Sequence, residues 1–312
     1  MAALRGERRA ARAAPAPSAK EQPFFYGGQA VVEGVMMRGR RHYAVAVRLR
    51  SGEIAVKRGE LTGGLYTSGL WRLPVLRGLA LMAEQLHLGT RCLTWSAAAA
   101  AGEPDAQISR GQVIACLTFA LVIGLAVFVG LPLLGAGALV HRSGSLWFVP
   151  VEGVIRVGLV LGYLALLGRI ADVRRLFQYH GAEHKTINAF EAGEPLDVAH
   201  VRGASVLHPR CGTGFLIVVL VVSVLVFSVV AVFHPAWPAL ILTRVLGVPL
   251  VAGLSYECIR LMAGHRRRRL VRLLLVPVLA TQRLTTREPD AGMLEVAIAA
   301  FQAAREGEAV AA

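Results

Sequence analysis

The chain has 312 residues, of which 55% are hydrophobic and 17% charged, and its mean hydropathy is +0.54. Soluble domains carry about 25% charged residues, so this composition argues against an ordinary soluble domain. The net charge is +14, but the Lys and Arg residues lie beside the apolar runs, where they set membrane orientation and contact anionic lipid. We therefore expect the lipid bilayer, and not nucleic acid, to be the main partner.

The N-terminal residues 1–23 are basic and rich in Ala and Pro, and they lack the apolar core of a signal peptide. They are predicted to be a disordered tail. The four cysteines show no pairing pattern and are expected to be reduced. They are Cys92, Cys116, Cys211 and Cys258.

The next segment has the alternation of β-strands. Apolar residues alternate over 43–49 and again over 54–56, with a Ser-Gly turn signal at 51–52. This pattern predicts a β-hairpin. Residues 29–37 are the expected partner strand, and 24–66 as a whole is predicted to be a small β-rich cytoplasmic element.

Residues 67–109 have helical and apolar character, but Arg77, Glu84 and His87 interrupt the apolar residues. A segment of this kind favours a helix that lies on the membrane surface or against the membrane helices. We expect no fifth span here.

Four apolar segments predict four transmembrane helices, because each can cross a hydrocarbon core of ~30 Å at about 1.5 Å per residue. They cover residues 111–140, 146–167, 212–233 and 239–263. The connections at 141–145 and 234–238 contain almost no Lys or Arg, whereas the connection 169–211 is rich in them. The positive-inside rule therefore predicts that both termini and the 169–211 connection are cytoplasmic, in the cell inner (plasma) membrane.

The predicted fold class is an α-helical integral membrane protein with four transmembrane helices, a small N-terminal β-rich cytoplasmic element and interfacial helices. Residues 110–263 form the transmembrane region. Residues 264–312 form a cytoplasmic basic or interfacial segment that ends in a helix over 293–304. Within the spans, Glu152 and Arg156 lie one helical turn apart and are expected to pair.

The most informative motif is H-x-x-E-H, formed by His180, Glu183 and His184 just after the second apolar segment. On a helix, positions i, i+3 and i+4 share one face. Two imidazoles and a carboxylate placed in this way can bind a divalent metal such as zinc and hold a general base beside it. The open alternative is a juxtamembrane helix whose His and Glu side chains pair with each other or with lipid headgroups.

Three further residues are candidate metal ligands. His208 and Cys211 end the same connection and are ligands of the kind that zinc prefers, although this segment can instead form the turn and N-cap of the third helix. Glu257 lies inside the fourth span, where a lone carboxylate is costly. It is expected to be either a ligand or the partner of Arg156 or Arg260 in an ion pair.

Two other segments stand out. Residues 27–39, GGQAVVEGVMMRG, combine several glycines with Glu33. Glycine permits close approach of the backbone to a ligand or another segment, but the run lacks the lysine of a phosphate-binding P-loop. A strand with glycine bulges is the plainer alternative. The polar segment 285–290 either folds back toward the motif or caps the following helix.

Five segments resemble the bacterial YqhQ family, and the resemblance runs from about residue 24 to residue 300. They are 27–39 (GGQAVVEGVMMRG), 179–191 (YHGAEHKTINAFE), 208–213 (HPRCGT), 255–257 (SYE) and 284–289 (LTTREP). The resemblance implies a multi-pass membrane protein of a family without known function, sometimes labelled a predicted metal-dependent enzyme. It supports the fold and the choice of residues, and it implies no particular reaction.

Two functions follow from the sequence as alternatives. The first is a membrane-embedded metal-dependent enzyme, expected to be a zinc-type hydrolase that acts on a membrane peptide or a lipid at the cytoplasmic face. Glu183 would be its catalytic base, and its metal ligands would be drawn from His180, His184, His208, Cys211 and Glu257. The second is a non-catalytic membrane scaffold, assembly factor or transporter-like protein that uses these polar residues structurally.

Overall fold

The computed structural model describes residues 26–61, 73–103, 109–140, 147–233, 236–265 and 268–310. The tail predicted over residues 1–23 lies outside the described residues. Most of the described chain is helical, and one small antiparallel sheet lies near its N-terminal end.

The sheet has four strands in the order β1-β2-β3-β4. They are β1 (Gly27–Val31), β2 (Gly34–Arg38), β3 (His42–Arg48) and β4 (Ile54–Glu60). The predicted hairpin is confirmed as β3 and β4. The single strand expected over 29–37 is instead two strands, because a turn at Val32 and Glu33 reverses the chain. Glu33 adopts a positive φ of 53° in this turn.

Ten α-helices are described. They are α1 (Leu76–Ala101), α2 (Arg110–Leu125), α3 (Leu131–Val140), α4 (Phe148–Leu167), α5 (Ala171–Ala192), α6 (Val198–Gly203), α7 (Gly212–Ala231), α8 (Trp237–Gly264), α9 (Arg269–Thr285) and α10 (Ala291–Val310). A π-helical turn, Ala126–Gly130, joins α2 to α3.

Four helical stretches are long and apolar enough to cross a membrane, as the sequence predicts. They are Gly111–Val140, Phe148–Leu167, Gly212–Ala231 and Trp237–Met262. They pack on one another through α3 with α4, α4 with α7 and α7 with α8. Large apolar side chains remain exposed along them, including Leu121, Leu225 and Leu246. Surfaces of this kind are suited to lipid tails.

Both faces of the sheet are covered, and successive side chains alternate between them. Val35, Met37, Ala44 and Ala46 are buried on one face in a core with α5, α6 and α10. Met36, Tyr43, Val45 and Val47 are buried on the other face, where α1 supplies Leu88 and Cys92. The sheet is therefore the centre of a small α/β layer assembled from three distant parts of the chain.

Helix α1 joins this layer to the apolar helices. Its beginning packs on α8, where a Cβ added to Gly78 would come within 2.8 Å of the Tyr256 side chain. Its later residues pack on the sheet. The sequence predicted a helix on the membrane surface or against the membrane helices, and the structure places α1 against both the apolar helix α8 and the sheet.

A buried ion network on α4 and α8 contacts all four apolar helices, since Arg156 also donates to Ser223 of α7 at 3.3 Å. Glu152 of α4 accepts hydrogen bonds from Arg156, one turn away as predicted, and from Arg244 of α8 at 2.7 and 3.0 Å. Arg156 also donates to the carbonyl of Phe128 in the π-helical turn. All three ionic side chains are almost fully buried. The sequence predicted the pair of Glu152 and Arg156 but not the contribution of Arg244.

Candidate metal centre

The H-x-x-E-H motif lies in the middle of α5, a helix of 22 residues. Within the connection predicted over 169–211, the motif is therefore helical. His180 and His184 face the N terminus of α7, and their ring centroids are 4.4 Å apart. Three potential ligand atoms lie within 4.8 Å of one another, one from each of His180, His184 and Cys211.

Backbone carbonyls orient both imidazoles. His180 Nδ1 donates to the carbonyl of Thr285 at 2.9 Å, and His184 Nδ1 donates to the carbonyl of Val206 at 2.5 Å. A carbonyl can only accept, so each Nδ1 carries a proton, and in the neutral form of each imidazole Nε2 presents its lone pair. Metal-binding histidines are held in this way by a hydrogen bond from their other ring nitrogen.

The two Nε2 atoms differ in their surroundings. His180 Nε2 lies 3.2 Å from Cys211 Sγ. His184 is 1% exposed, and its Nε2 atom has no hydrogen-bond partner among the described residues. A buried polar atom without a partner costs about 1–3 kcal/mol. A metal bound to His184 Nε2 would remove this cost, so the residues present fit a metal of the zinc class.

Cys211 is the N-cap of α7, and its sulfur accepts from the Thr213 backbone N–H. The sulfur also lies 3.1 Å from Thr213 Oγ1, which is within hydrogen-bond distance of Thr285 Oγ1. The segment therefore does form the N-cap of this helix, with Cys211 as the capping residue. This role is compatible with metal binding, because the sulfur that caps the helix is the same atom that faces His180.

Several contacts fix the connection between α6 and α7 against α5. Lys185 Nζ donates to the carbonyls of Arg202 and Ala204, and Asn188 Nδ2 donates to the carbonyls of Ser205 and Leu207. These bonds hold the connection in the position where the Val206 carbonyl meets His184.

The segment 285–290 crosses α5 on the other side of the motif. The Arg287 N–H donates to the Phe177 carbonyl. A Cβ added to Gly181 would lie 2.1 Å from the Arg287 carbonyl oxygen, so only glycine permits this crossing. Asp290 then caps α10 by accepting from the Met293 N–H. The segment therefore does both things that the sequence suggested: it folds back to the motif and it caps the next helix.

Glu183 lies on the same helix face, toward the sheet. Its carboxylate accepts from the Gly28 backbone N–H of β1. A Cβ on Gly28 would lie 2.7 Å from Glu183 Cγ, which explains the glycine at this point of the strand. Burial raises the pKa of Glu183 to about 7, while the charge of His180 and the hydrogen bond from Gly28 act in the opposite direction.

The other two candidate ligands lie outside this cluster. The His208 ring centroid is 5.6 Å from that of His184, and its Nε2 atom is 3.8 Å from a Glu191 oxygen. Burial, and then the charge of His184, lower the pKa of His208 to about 4. His208 therefore lies beside the cluster as a neutral imidazole at pH 7.

Glu257 lies on α8 and contacts Arg77 of α1. Both of its oxygens accept from the Arg77 guanidinium, and Oε1 also accepts from the Val75 N–H at 3.2 Å. Arg77 takes the place of the two arginines, Arg156 and Arg260, that the sequence suggested as ion-pair partners. Glu257 is not among the side chains that converge on His180 and His184.

A cleft of about 470 Å³ opens onto the cluster. Its walls are β1, the motif face of α5 and the N terminus of α7. The lining residues that matter most here are Gly28, Ala30, His180, Glu183 and Cys211. The cleft makes the cluster accessible to a substrate, a property that a purely internal metal site lacks.

Sequence reasoning missed the residues that position the histidines. Thr285 and Val206 act through their carbonyls, which any residue type supplies, so no residue pattern could identify them. Gln282 was also missed, although it exchanges two hydrogen bonds with the His208 backbone at 2.9 and 2.8 Å. The sequence feature that could have identified Gln282 is its polar side chain on the buried side of α9.

The structure thus defines a class: a mostly helical protein with four apolar helices of membrane-spanning length and a His/Cys cluster beside a small sheet. Residues 73–307 match the model of a family described as a protein of unknown function, DUF1385. The chain is 33% identical to the "Uncharacterized protein YqhQ" of Bacillus subtilis (strain 168) in an alignment of 298 positions that covers 89% of this chain and 92% of that protein. The chain belongs to the DUF1385 family. No solved structure matches it significantly.

Proposed function

We propose that this protein is a membrane-embedded, metal-dependent hydrolase whose site faces the cytoplasm. The observation that carries the proposal is the arrangement of His180, His184 and Cys211. Each imidazole has its Nδ1 bound to a carbonyl, each Nε2 faces the cluster, and one Nε2 is buried without a partner among the described residues. Two imidazoles and one thiolate are a ligand set that catalytic zinc sites use, with a further position open to water.

A zinc ion bound there would polarise a water molecule and a substrate carbonyl. Glu183 lies beside the ligands and lines the cleft. Its carboxylate would take a proton from the attacking water and pass it to the leaving group. The Gly28 N–H holds this carboxylate in place.

The membrane part of the proposal is supported by the four apolar helices and their exposed apolar side chains. If each helix crosses the bilayer, the sheet, α5, α6 and α10 lie on the same side, because an even number of spans separates them. The excess of Lys and Arg on that side favours the cytoplasm.

The alternative is a non-catalytic membrane protein in which the cluster is structural. One observation favours it: the Cys211 sulfur already has partners in Thr213 and His180. The buried His184 Nε2 argues against it, because an unpaired buried nitrogen is a cost that a bound metal would remove and a structural hydrogen-bond cluster does not.

Metal content of the purified protein tests the proposal. We expect about one zinc per chain, lost in His184→Ala and in Cys211→Ser and kept in Glu183→Gln, because the carboxylate acts on protons and does not bind the metal. His200→Ala is the matched control, since His200 pairs only with Asp197 on the surface in the described structure. A wild-type protein that carries no metal after purification and zinc addition would contradict the proposal.

A further inference from the structure

The first strand of the sheet has a free edge that faces the candidate metal centre. Among the strands that the structure describes, β1 pairs with β2 alone. Gly39 N–H donates to the His42 carbonyl and Arg48 N–H to the Glu33 carbonyl. In an antiparallel ladder the direction of these bonds alternates along the strand, so the odd-numbered residues of β2 bond to β3 and the even-numbered residues bond to β1.

This register decides which groups of β1 point outward. Gly34, Met36 and Arg38 lie opposite Val31, Gln29 and Gly27. Those pairs exchange the hydrogen bonds of the hairpin. The backbone N–H and C=O groups of the two intervening residues therefore point away from the sheet. The two residues are Gly28 and Ala30.

One of these four outward groups is already used. The Gly28 N–H donates to Glu183. For the Gly28 carbonyl and for both backbone groups of Ala30, the described residues provide no hydrogen-bond partner. Gly28 and Ala30 are half-buried and line the same cleft as His180 and Cys211. A row of unpaired groups on an accessible strand edge is a template for another strand.

We propose that the substrate is a polypeptide that binds in extended form along the free edge of β1 and presents an amide bond to the metal site. This inference rests on the proposed function. A peptide offers N–H donors to the Gly28 and Ala30 carbonyls and a carbonyl acceptor to the Ala30 N–H. A lipid ester offers acceptors but no backbone N–H donors, so it cannot satisfy this edge.

The reaction that follows is amide hydrolysis. The water oxygen forms a bond to the amide carbon and the carbon–nitrogen bond breaks. Glu183 takes one proton from the water and transfers it to the leaving nitrogen. The second water proton, left on the new carboxyl group, then also passes to the amine. The products are a carboxylate and a protonated amine, so no oxidant, reductant or further reactant is needed.

Binding of two hydroxamates to the zinc-loaded, full-length protein in detergent tests the inference. Acetohydroxamate reports the metal alone, and acetyl-Leu-Ala-Leu-hydroxamate adds backbone groups for β1. The test variant is Ala30→Pro, because proline removes the outward N–H without removing a bond of the hairpin. Ala30→Val is the control of similar bulk that keeps the N–H.

We expect the peptide hydroxamate to bind wild type and Ala30→Val more tightly than acetohydroxamate does. Ala30→Pro should weaken the peptide hydroxamate about 3- to 10-fold, the effect of losing one hydrogen bond, and leave acetohydroxamate unchanged. Methylation of the peptide nitrogens should weaken binding to wild type in the same range. Unchanged acetohydroxamate binding also shows that Ala30→Pro is folded at the site.

Two results would overturn the inference about the peptide. They can be told apart from a result that contradicts the proposed function. If both hydroxamates bind equally, or if methylation has no effect, the metal site stands and the peptide does not use β1. If neither compound binds and the protein carries no zinc, the proposed function itself fails. If Ala30→Pro loses acetohydroxamate binding as well, the methylated peptides decide the matter on wild type.

Discussion

Cys211 carries two roles with one atom, since its sulfur caps α7 and faces His180. A thiol in a metal site is protected from alkylation while the metal is bound. We expect maleimide to modify Cys211 at pH 8 slowly in zinc-loaded protein and at least about 10-fold faster after chelation. The measurement is mass spectrometry of the labelled protein with Cys116 and Cys258 replaced by Ser.

Cys92 is the internal control for that measurement. It is 3% exposed between α1 and the sheet, and burial raises the pKa of its thiol to about 11. It is therefore expected to stay unmodified with and without chelator while the protein is folded. Labelling of Cys92 together with Cys211 after chelation would show that the chelator unfolds the protein instead of opening one site.

A second residue-level prediction concerns Glu152, which shares its carboxylate between Arg156 and Arg244. Glu152→Gln leaves two buried guanidinium groups without a counter-charge, whereas Arg244→Leu leaves one complete ion pair. Removing one partner of a buried pair costs roughly 3–5 kcal/mol. We expect Glu152→Gln to lower the unfolding temperature in detergent well below that of Arg244→Leu. Equal effects would contradict the shared-carboxylate geometry.

At the scale of the elements, the position of the 285–290 segment on α5 depends on Gly181, where the two cross. The 285–290 segment passes over Gly181 so closely that a methyl group at this position would meet the Arg287 carbonyl at 2.1 Å. Gly181→Ala should therefore shift the segment, withdraw the Thr285 carbonyl from His180 and reduce zinc retention, with a stability loss of about 1–3 kcal/mol. Thermal unfolding and metal content measure the two effects.

Gly203→Ala is the matched control for that substitution. Gly203 ends α6, and a Cβ there would meet nothing within 4 Å. This variant should keep both its stability and its zinc. A Gly181→Ala protein that also keeps both would show that the crossing is looser than described.

The elements also show how far sequence reasoning reaches. The four apolar helices, the β3–β4 hairpin and the pairing of His180 with His184 follow from periodicity and spacing, which are local properties. The partners of Glu257 and Glu152 were missed in part because Arg77 and Arg244 come from distant segments. Hydrophobic patterns do not specify which distant charges meet. The turn at Glu33 was missed because only its positive φ, and no Asn-Gly or Asp-Gly signal, marks it.

At the scale of the whole molecule, the orientation of the four apolar helices determines where the site lies. Reporter fusions after Gly193, Pro238 and Gly264 are expected to read inside, outside and inside, because the basic residues concentrate beside the first and third of these points. An outside result after Gly193 would place the metal centre away from the cytoplasm. The proposal of a cytoplasmic hydrolase would then be wrong.

The way the sheet is covered affects when it can fold during synthesis. Its strands end at Glu60, yet α10, which covers one face of it, starts at Ala291. During synthesis, the ribosome must produce all four apolar helices before that face can be closed. The sheet is thus synthesised before these helices but can be completed only after them. A chain that stops before α10 should insert its helices normally and leave an open, protease-sensitive sheet behind.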